Sequence, residues 1–219
     1  MDYQIEQWVN GPAGHHAALD TLMRDAANWG EWIFIGLVVA WFASSWLWGD
    51  RAERRFALTA LLASGIALGI NQVLGAIWNR PRPFVAHPHD VHLLLAHAAD
   101  GSFPSDHAAA GFAVAGVLVA AHRRLGAAAI AVAVLMSYAR VFVGLHYPGD
   151  VVAGALIGVG VSWVLVHFAA RPVAWMETNI ERFVAVAHLP VPRVDRRLPP
   201  GEAVDPASED GAHDRFPAA

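Results

Sequence analysis

The sequence predicts an all-α protein: a polytopic membrane helix bundle with about five transmembrane helices and an amphipathic helix near the N-terminus. Hydrophobic residues make up 56% of the 219 positions, and the mean hydropathy is +0.38. That is too apolar for an ordinary soluble domain of this size. Charged residues are only 16% of the chain and cluster between apolar blocks. The net charge of -4 does not indicate nucleic-acid binding, and the absence of cysteine excludes disulfides and thiol chemistry.

Five apolar segments can span a membrane, and most of them approach the roughly 20 residues that cross a bilayer core. Their number, length and lack of charge distinguish them from buried helices of a soluble core, which periodicity alone would not do. The third segment is short unless its first residues lie just inside the membrane. The segments run approximately from Trp32 to Trp48, Phe56 to Trp78, His107 to Ala121, Leu125 to Val143 and Val151 to Ala170.

Two amphipathic stretches flank this bundle of residues 32–170. Residues 15–28 are predicted to form a helix on the outer surface of the membrane, and residues 173–188 are predicted to form a helix on its cytoplasmic surface. Residues 1–188 are therefore predicted to be one membrane-embedded domain. Residues 189–219 are rich in proline and acidic side chains, which predicts a disordered tail.

Arginine placement predicts the orientation of the bundle. Short arginine-rich connections occur at residues 50–55 and 122–124, and Arg171 follows the fifth segment. The positive-inside rule places these connections in the cytoplasm, together with the C-terminus. The N-terminus and the loops at 79–106 and 144–150, which carry all the candidate chemistry, then lie on the outer side of the membrane.

The first candidate motif opens the third segment. Ser105, Asp106 and His107 follow a proline at the start of a predicted helix. A helix N-terminus offers unpaired N–H groups and positive dipole, so it can seat a phosphate. Simple N-capping by Ser105 or Asp106 is an equally good explanation for this motif taken alone.

The second candidate motif spans the fourth and fifth segments. Arg140 lies inside apolar sequence, where a charge is costly and indicates function by default, although a snorkelling side chain is the alternative. His146 and Asp150 follow. An aspartate that accepts from one imidazole nitrogen would fix the tautomer and leave the other nitrogen free to attack. Asp150 could also simply cap the fifth segment.

The loop before the third segment carries further basic residues. Arg80 and Arg82 alternate with prolines in a predicted stiff, extended strip that could hold two guanidinium groups in place, or merely flank a helix. Four histidines also lie in this loop, and a metal site there is an alternative to an ordinary polar loop. They are His87, His89, His92 and His97.

Taken together, these motifs resemble the type-2 phosphatidic acid phosphatase (lipid phosphate phosphatase) superfamily. Its pattern is Lys-x6-Arg-Pro, then Pro-Ser-Gly-His, then Ser-Arg-x5-His-x3-Asp. The third motif and its spacing are very specific. Finer features resemble one branch, the bacitracin-resistance type of undecaprenyl-diphosphatase. The matching residues are Arg82-Pro83, Pro104-Ser105-Asp106-His107 and Arg140-x5-His146-x3-Asp150.

The chain departs from the family pattern at three positions. Gly75 stands where the first motif has lysine, and Asp106 replaces the glycine of the second motif, a substitution that the branch shares. Ala139 replaces the serine before Arg140. The chain contains no lysine at all, so one phosphate-binding cation is missing. The candidates to compensate are Arg80, Asn71, Gln72 and Asn79.

The resemblance implies a lipid diphosphate phosphatase that acts on undecaprenyl diphosphate through a phosphohistidine, without a metal or other cofactor. Phosphatidic acid or phosphatidylglycerophosphate would be alternative substrates, and a transporter or non-catalytic lipid-binding protein is the alternative of a different class. Oligomeric state is left open. The implied catalytic residues are the nucleophile His146, its orienting partner Asp150 and the proton carrier His107, and the implied phosphate-binding residues are Arg82, Arg140, Ser105, Asp106 and Arg80.

Overall fold

The computed structural model describes residues 1–47 and 50–186, which form eight α-helices and no strand. Four of the helices, α2, α3, α6 and α7, are long and apolar enough to cross a membrane, and the apolar α5 is shorter. The predicted helical bundle is confirmed. The bounds are α1 Asp2–Asn10, α2 Ala17–Leu47, α3 Arg51–Ile77, α4 Pro83–Ala86, α5 Asp106–Ala121, α6 Arg123–Phe142, α7 Pro148–Phe168 and α8 Ala170–Val186.

The first predicted span and the predicted surface helix at 15–28 are one continuous helix. α2 has 31 residues, about 46 Å at 1.5 Å per residue, against a hydrocarbon core of about 30 Å. No proline interrupts it, and Gly30 does not break it because it serves packing instead: a Cβ there would lie 2.6 Å from Cγ of Met136. The separate surface helix was a wrong prediction, and α1 was not predicted.

α5 lies at the centre of the bundle and packs against α2, α3, α6 and α7. The close approach of α7 to α5 depends on Gly154 and Gly158. A Cβ at Gly154 would collide with the carbonyl oxygen of Ser105, and a Cβ at Gly158 with that of Ala109. This glycine seam holds the start of α5 against the start of α7.

The termini of the helices define two ends of the bundle. α3 and α6 end where α5 and α7 begin, and this end is called the site end below. At the opposite end, α8 packs on α3 through an ion pair between Arg54 and the buried Glu177. α8 coincides with most of the amphipathic helix predicted at 173–188, whereas the predicted tail at 189–219 lies outside the described residues.

The connections at the site end are held by the N-terminal helix. Asn10, at the end of α1, donates from its side-chain amide to the carbonyls of His92 and Phe142, and its side-chain oxygen accepts from the His92 N–H. Asn10 is buried. One side chain therefore satisfies backbone groups of both loops that carry the motifs. The strip after Arg80 is extended only as far as Arg82, because a single turn of helix, α4, begins at Pro83.

Candidate active site

A polar cavity of about 420 Å³ opens at the site end between the end of α3, the start of α5 and the end of α6. Its size falls within the usual range for small-molecule sites. Five of the eight predicted site residues, drawn from all three motifs, reach its wall. They are Arg82, Asp106, His107, Arg140 and His146.

His146 is buried at the base of this cavity, in the turn between α6 and α7. Its Nδ1 lies 2.9 Å from the carbonyl oxygen of Ser102. A carbonyl can only accept, so Nδ1 carries the proton and Nε2 keeps its lone pair. Burial, reinforced by the charges of Arg140 and Arg82, holds the pKa of His146 well below its usual 6.5. The imidazole is therefore neutral, with Nε2 available as a nucleophile.

Two guanidinium groups converge on this nitrogen. Nη1 of Arg82 lies 3.1 Å and Nη2 of Arg140 3.4 Å from Nε2 of His146. Arg82 is also held by Asp100, whose Oδ1 accepts from Nε at 2.7 Å. Nε of Arg140 is buried and has no hydrogen-bond partner in the described part of the chain. Buried donors are normally paired, so the arginines have spare donors beside His146.

Asp150 is fully buried at the first turn of α7 and does not make the hydrogen bond that the sequence predicts. Its Oδ2 accepts from the Tyr147 N–H at 2.9 Å and stands 3.7 Å from Nδ1 of His146. Ser102 is the nearer partner of the imidazole. The carboxylate therefore acts on His146 through charge and through the turn that it caps.

Arg80, which the sequence predicts to bind phosphate, lies outside the cavity wall. Its Nη1 donates to Oδ1 of Asp150 at 2.9 Å and pairs with Oδ2 of Asp2 at 2.7 Å. The guanidinium also lies 3.7 Å from the centre of the Tyr147 ring. Two carboxylates and an aromatic face thus take up its charge. Its contact with the site runs through Asp150.

Ser105 adopts the simpler of its two predicted roles. Its hydroxyl accepts from the Ala108 N–H at 3.5 Å, and the residue is fully buried behind the cavity wall. This is N-capping of α5. The cap and the glycine seam fix the direction of the first turn, and with it the position of His107.

Asp106 lines the cavity but is held by two amides. Its carboxylate oxygens accept from Asn71 at 2.9 Å and from Gln72 at 3.2 Å. Both amides come from α3, one turn before Gly75, which lines the cavity with Asn79. Asn71 and Gln72 therefore orient Asp106, and no cation in the described residues takes the place of the missing lysine.

His107 pairs with a residue that the sequence motifs do not include. Its Nε2 lies 3.0 Å from Oε2 of Glu31, in the middle of α2. The prediction started the first span at Trp32 and so left Glu31 just outside it. An acidic residue within an apolar segment is itself a signal of function, and that signal would have found it. The stretch His97–His107, which resembles the undecaprenyl-diphosphatase branch, contains Ser102 and Asp100, but the sequence predicts no role for either.

Comparison with known proteins is decisive for the family. The PAP2 superfamily profile matches residues 56–174, which include every predicted site residue. The chain belongs to the PAP2 superfamily. Among its relatives, undecaprenyl-diphosphatase BcrC of Bacillus subtilis is 30% identical over 77% of this chain and 84% of the relative. The putative undecaprenyl-diphosphatase YbjG of Escherichia coli is 35% identical over 52% of this chain and 57% of the relative.

A solved member of the superfamily has the same fold. LpxE of Aquifex aeolicus superposes with a TM-score of 0.62 at 28% identity, covering 74% of this chain and 93% of that structure. The PAP2 assignment together with the apolar helices makes this a multi-pass membrane protein and a membrane lipid phosphatase. The recognition from three motifs is confirmed.

The loop histidines of this PAP2 chain do not gather. His87 stacks on Tyr3 with ring centres 3.7 Å apart, and His92 meets His15 edge-on at 5.8 Å. His97 is on the cavity wall, 3.5 Å from Asp100. Within residues 1–47 and 50–186, no group of three or more histidine, aspartate or glutamate residues is arranged to hold a metal ion.

Proposed function

We propose that this protein hydrolyses undecaprenyl diphosphate to undecaprenyl phosphate at the outer face of the bacterial cytoplasmic membrane, by way of a phosphohistidine. The observation that carries the proposal is the neutral Nε2 of His146 facing two arginine side chains within a polar cavity. Arginine binds phosphate oxygens in a bidentate fashion. A terminal phosphoryl group held by Arg82 and Arg140 would present its phosphorus to this nitrogen.

The reaction proceeds in two displacements. Nε2 of His146 forms a bond to phosphorus while the bond to the lipid phosphate oxygen breaks, and His107 gives that oxygen a proton. His107 then takes a proton from water, whose oxygen displaces His146 and releases inorganic phosphate. Arg82 and Arg140 stabilise the charge on the transferring group. Asp150 favours the positive charge that develops on His146.

The similarity to undecaprenyl-diphosphatases supports this substrate, and a direct assay tests it. Purified protein in detergent should release phosphate from undecaprenyl diphosphate faster than from phosphatidic acid or phosphatidylglycerophosphate. His146→Ala should lower the rate by on the order of 10⁴-fold or more, because the attacking atom is lost. His122→Ala is the matched control, since His122 lies at the opposite end and pairs with Glu53. EDTA should leave the rate unchanged.

The outcomes test the catalytic mechanism and the identity of the substrate separately. Preference for phosphatidic acid would keep the mechanism and replace the substrate. Near-normal turnover by His146→Ala would contradict the nucleophile assignment. Full loss with EDTA that a divalent ion restores would contradict the metal-free scheme. Hydrolysis of no lipid phosphate would favour the lipid-binding or transport alternative.

The dependence of the rate on pH tests the state of His146. Because the pKa of His146 is lowered, the imidazole is still neutral at pH 6.5 and becomes protonated only at a lower pH. The acid limb of kcat/KM should therefore lie below pH 6.5. The measurement is kcat/KM between about pH 4.5 and 9 in one mixed buffer. An acid limb at or above pH 6.5 would contradict the proposed electrostatics.

The outward orientation is testable because the chain has no cysteine. Single cysteines replacing His89 and Arg124, which are exposed at the site end and the opposite end, report on the two sides. A membrane-impermeant maleimide added to intact cells or spheroplasts should label His89→Cys only. Labelling of Arg124→Cys instead would place the site in the cytoplasm.

A further inference from the structure

Glu31 is the only charged residue between Asp25 and Asp50 in the sequence. Its carboxylate is half-exposed and lies 3.0 Å from Nε2 of His107, whose side chain is largely buried. His107 is the only ion-pair partner of Glu31 in the described residues. A charge inside an apolar, membrane-spanning helix is costly unless it is used. The pair therefore calls for a function beyond holding α2 against α5.

The pairing assigns roles to the two nitrogens of His107. A carboxylate accepts a hydrogen bond, so Nε2 is the donor. Nδ1 makes no hydrogen bond to any described residue, and His107 lines the cavity. Nδ1 is thus the atom free to exchange a proton with substrate or water. This is the same logic by which a buried carboxylate orients a catalytic imidazole and stabilises its charged form.

We propose that Glu31 is the positioning residue of the general acid, so that Glu31 and His107 work as a dyad. The inference rests on the proposed function. In the first displacement Nδ1–H of the imidazolium passes its proton to the departing oxygen, and the ring becomes neutral while Nε2–H stays bonded to Glu31. In the second displacement Nδ1 takes a proton from water, and the imidazolium is restored beside the carboxylate.

A second histidine–glutamate pair offers a structural comparison within the same chain. Nε2 of His122 lies 3.0 Å from Oε2 of Glu53 at the opposite end of the bundle. There the carboxylate also accepts from Nε1 of Trp41 at 2.7 Å, so it ties α2 to α3 and α5. Glu31 makes no such additional bond in the described residues, and its histidine faces the cavity.

The experiment compares two leaving groups in Glu31→Gln. An alkyl phosphate such as phosphatidic acid needs its leaving oxygen protonated, whereas p-nitrophenyl phosphate departs as a stable anion. Loss of general-acid assistance should lower kcat/KM by about 100-fold for the alkyl phosphate and by less than about fivefold for the aryl phosphate. Glu53→Gln, which removes the matching pair, should change neither. Glu31→Asp should recover part of the alkyl phosphate activity.

A double-mutant cycle with His107→Ala completes the test. If the two residues act as a unit, Glu31→Gln adds little further loss in the absence of His107. Equal losses on both leaving groups, or fully additive losses, would overturn the dyad. The aryl phosphate rate of Glu31→Gln also shows that the variant is folded. Failure of the proposed function is separately visible, because the unmodified protein would then hydrolyse neither substrate, or His146→Ala would retain activity on both.

Discussion

Arginines at the two ends of the bundle have different partners. At the opposite end, Arg54 is nearly buried and every part of its guanidinium is used, by Glu177, by Glu181 and by the carbonyl of Ser45. At the site end, Arg140 is equally buried, yet its Nε has no hydrogen-bond partner among the described residues and its Nη2 faces a neutral histidine.

The comparison distinguishes an arginine that holds helices together, Arg54, from an arginine that is available to bind a ligand, Arg140. A buried charge needs compensation, and at the opposite end the carboxylates of α8 provide it within the chain. At the site end, Asp100 compensates Arg82 only in part, and its carboxylate is more than half exposed. A phosphate dianion would complete the coordination of both arginines there.

The largest expected effect is on stability, at the opposite end. Arg54→Ala leaves the buried Glu177 with Arg55 as its one ion-pair partner within residues 1–47 and 50–186. Removing one member of a buried pair typically costs about 3–5 kcal/mol in the free energy of unfolding. Thermal unfolding in detergent measures this. The folded fraction should keep its specific activity, and a loss of activity without a loss of stability would contradict the contrast.

Arg140→Ala should show the reverse pattern. We expect kcat/KM to fall by about 10²–10³-fold, because donors to the transferring phosphoryl group are lost, with little loss of thermal stability. Arg140→Lys keeps the charge but loses the planar fork, so it should restore only part of the activity. Strong destabilisation by Arg140→Ala would indicate that this arginine, too, is structural.

Arg80→Gln should have an intermediate effect on activity. The change removes the cation between Asp150 and Asp2 and leaves the buried carboxylate of Asp150 under-compensated. A cost of about 1–3 kcal/mol is typical of such a loss. If it falls on the transition state, kcat/KM should drop by about 5- to 160-fold. Phosphate-release kinetics check this, and product inhibition by inorganic phosphate should be unchanged, because Arg80 does not line the cavity.

The smallest expected effect concerns Glu6 on α1. Burial raises its pKa from 4.5 to about 7, and neither carboxylate oxygen has a hydrogen-bond partner in the described residues. The folded protein therefore holds a proton that the unfolded chain has lost, so this group's contribution to stability declines between pH 4.5 and 7. Glu6→Gln should raise the Tm by a few degrees at pH 8 and not at pH 4, as differential scanning would show.

The sequence was sufficient to predict the features that depend on the local pattern of apolar residues, chiefly the positions of the helices. Apolar runs predicted the helices α3, α5, α6 and α7 to within a few residues at most ends, which follows from composition. The family resemblance implied that His107 and His146 share one site, and both line the cavity. α2 was mispredicted because its first turns are amphipathic and its later turns are apolar, which is how a helix looks when it leaves a bilayer.

The sequence could not predict hydrogen-bond and ion-pair partners that come from distant segments, because these depend on how the segments pack. Ser102 meets His146 from 44 positions away, and Arg80 meets Asp150 from 70. The sequence predicts that Arg80 binds phosphate because arginine commonly does so. In the structure its guanidinium is paired with the carboxylates of Asp150 and Asp2. Which acceptor is nearest depends on how the loops fold over one another, and no spacing rule contains that information.

The glycine seam between α5 and α7 also bears on how this protein meets bilayers of different thickness. Tilting is one way in which membrane helices accommodate a mismatch in hydrophobic length. Because Gly154 and Gly158 bring the backbones of the two helices into contact, we expect α5 and α7 to tilt together as one unit. The spacing between His107 and Asp150 should then be insensitive to the acyl-chain length of the surrounding lipid.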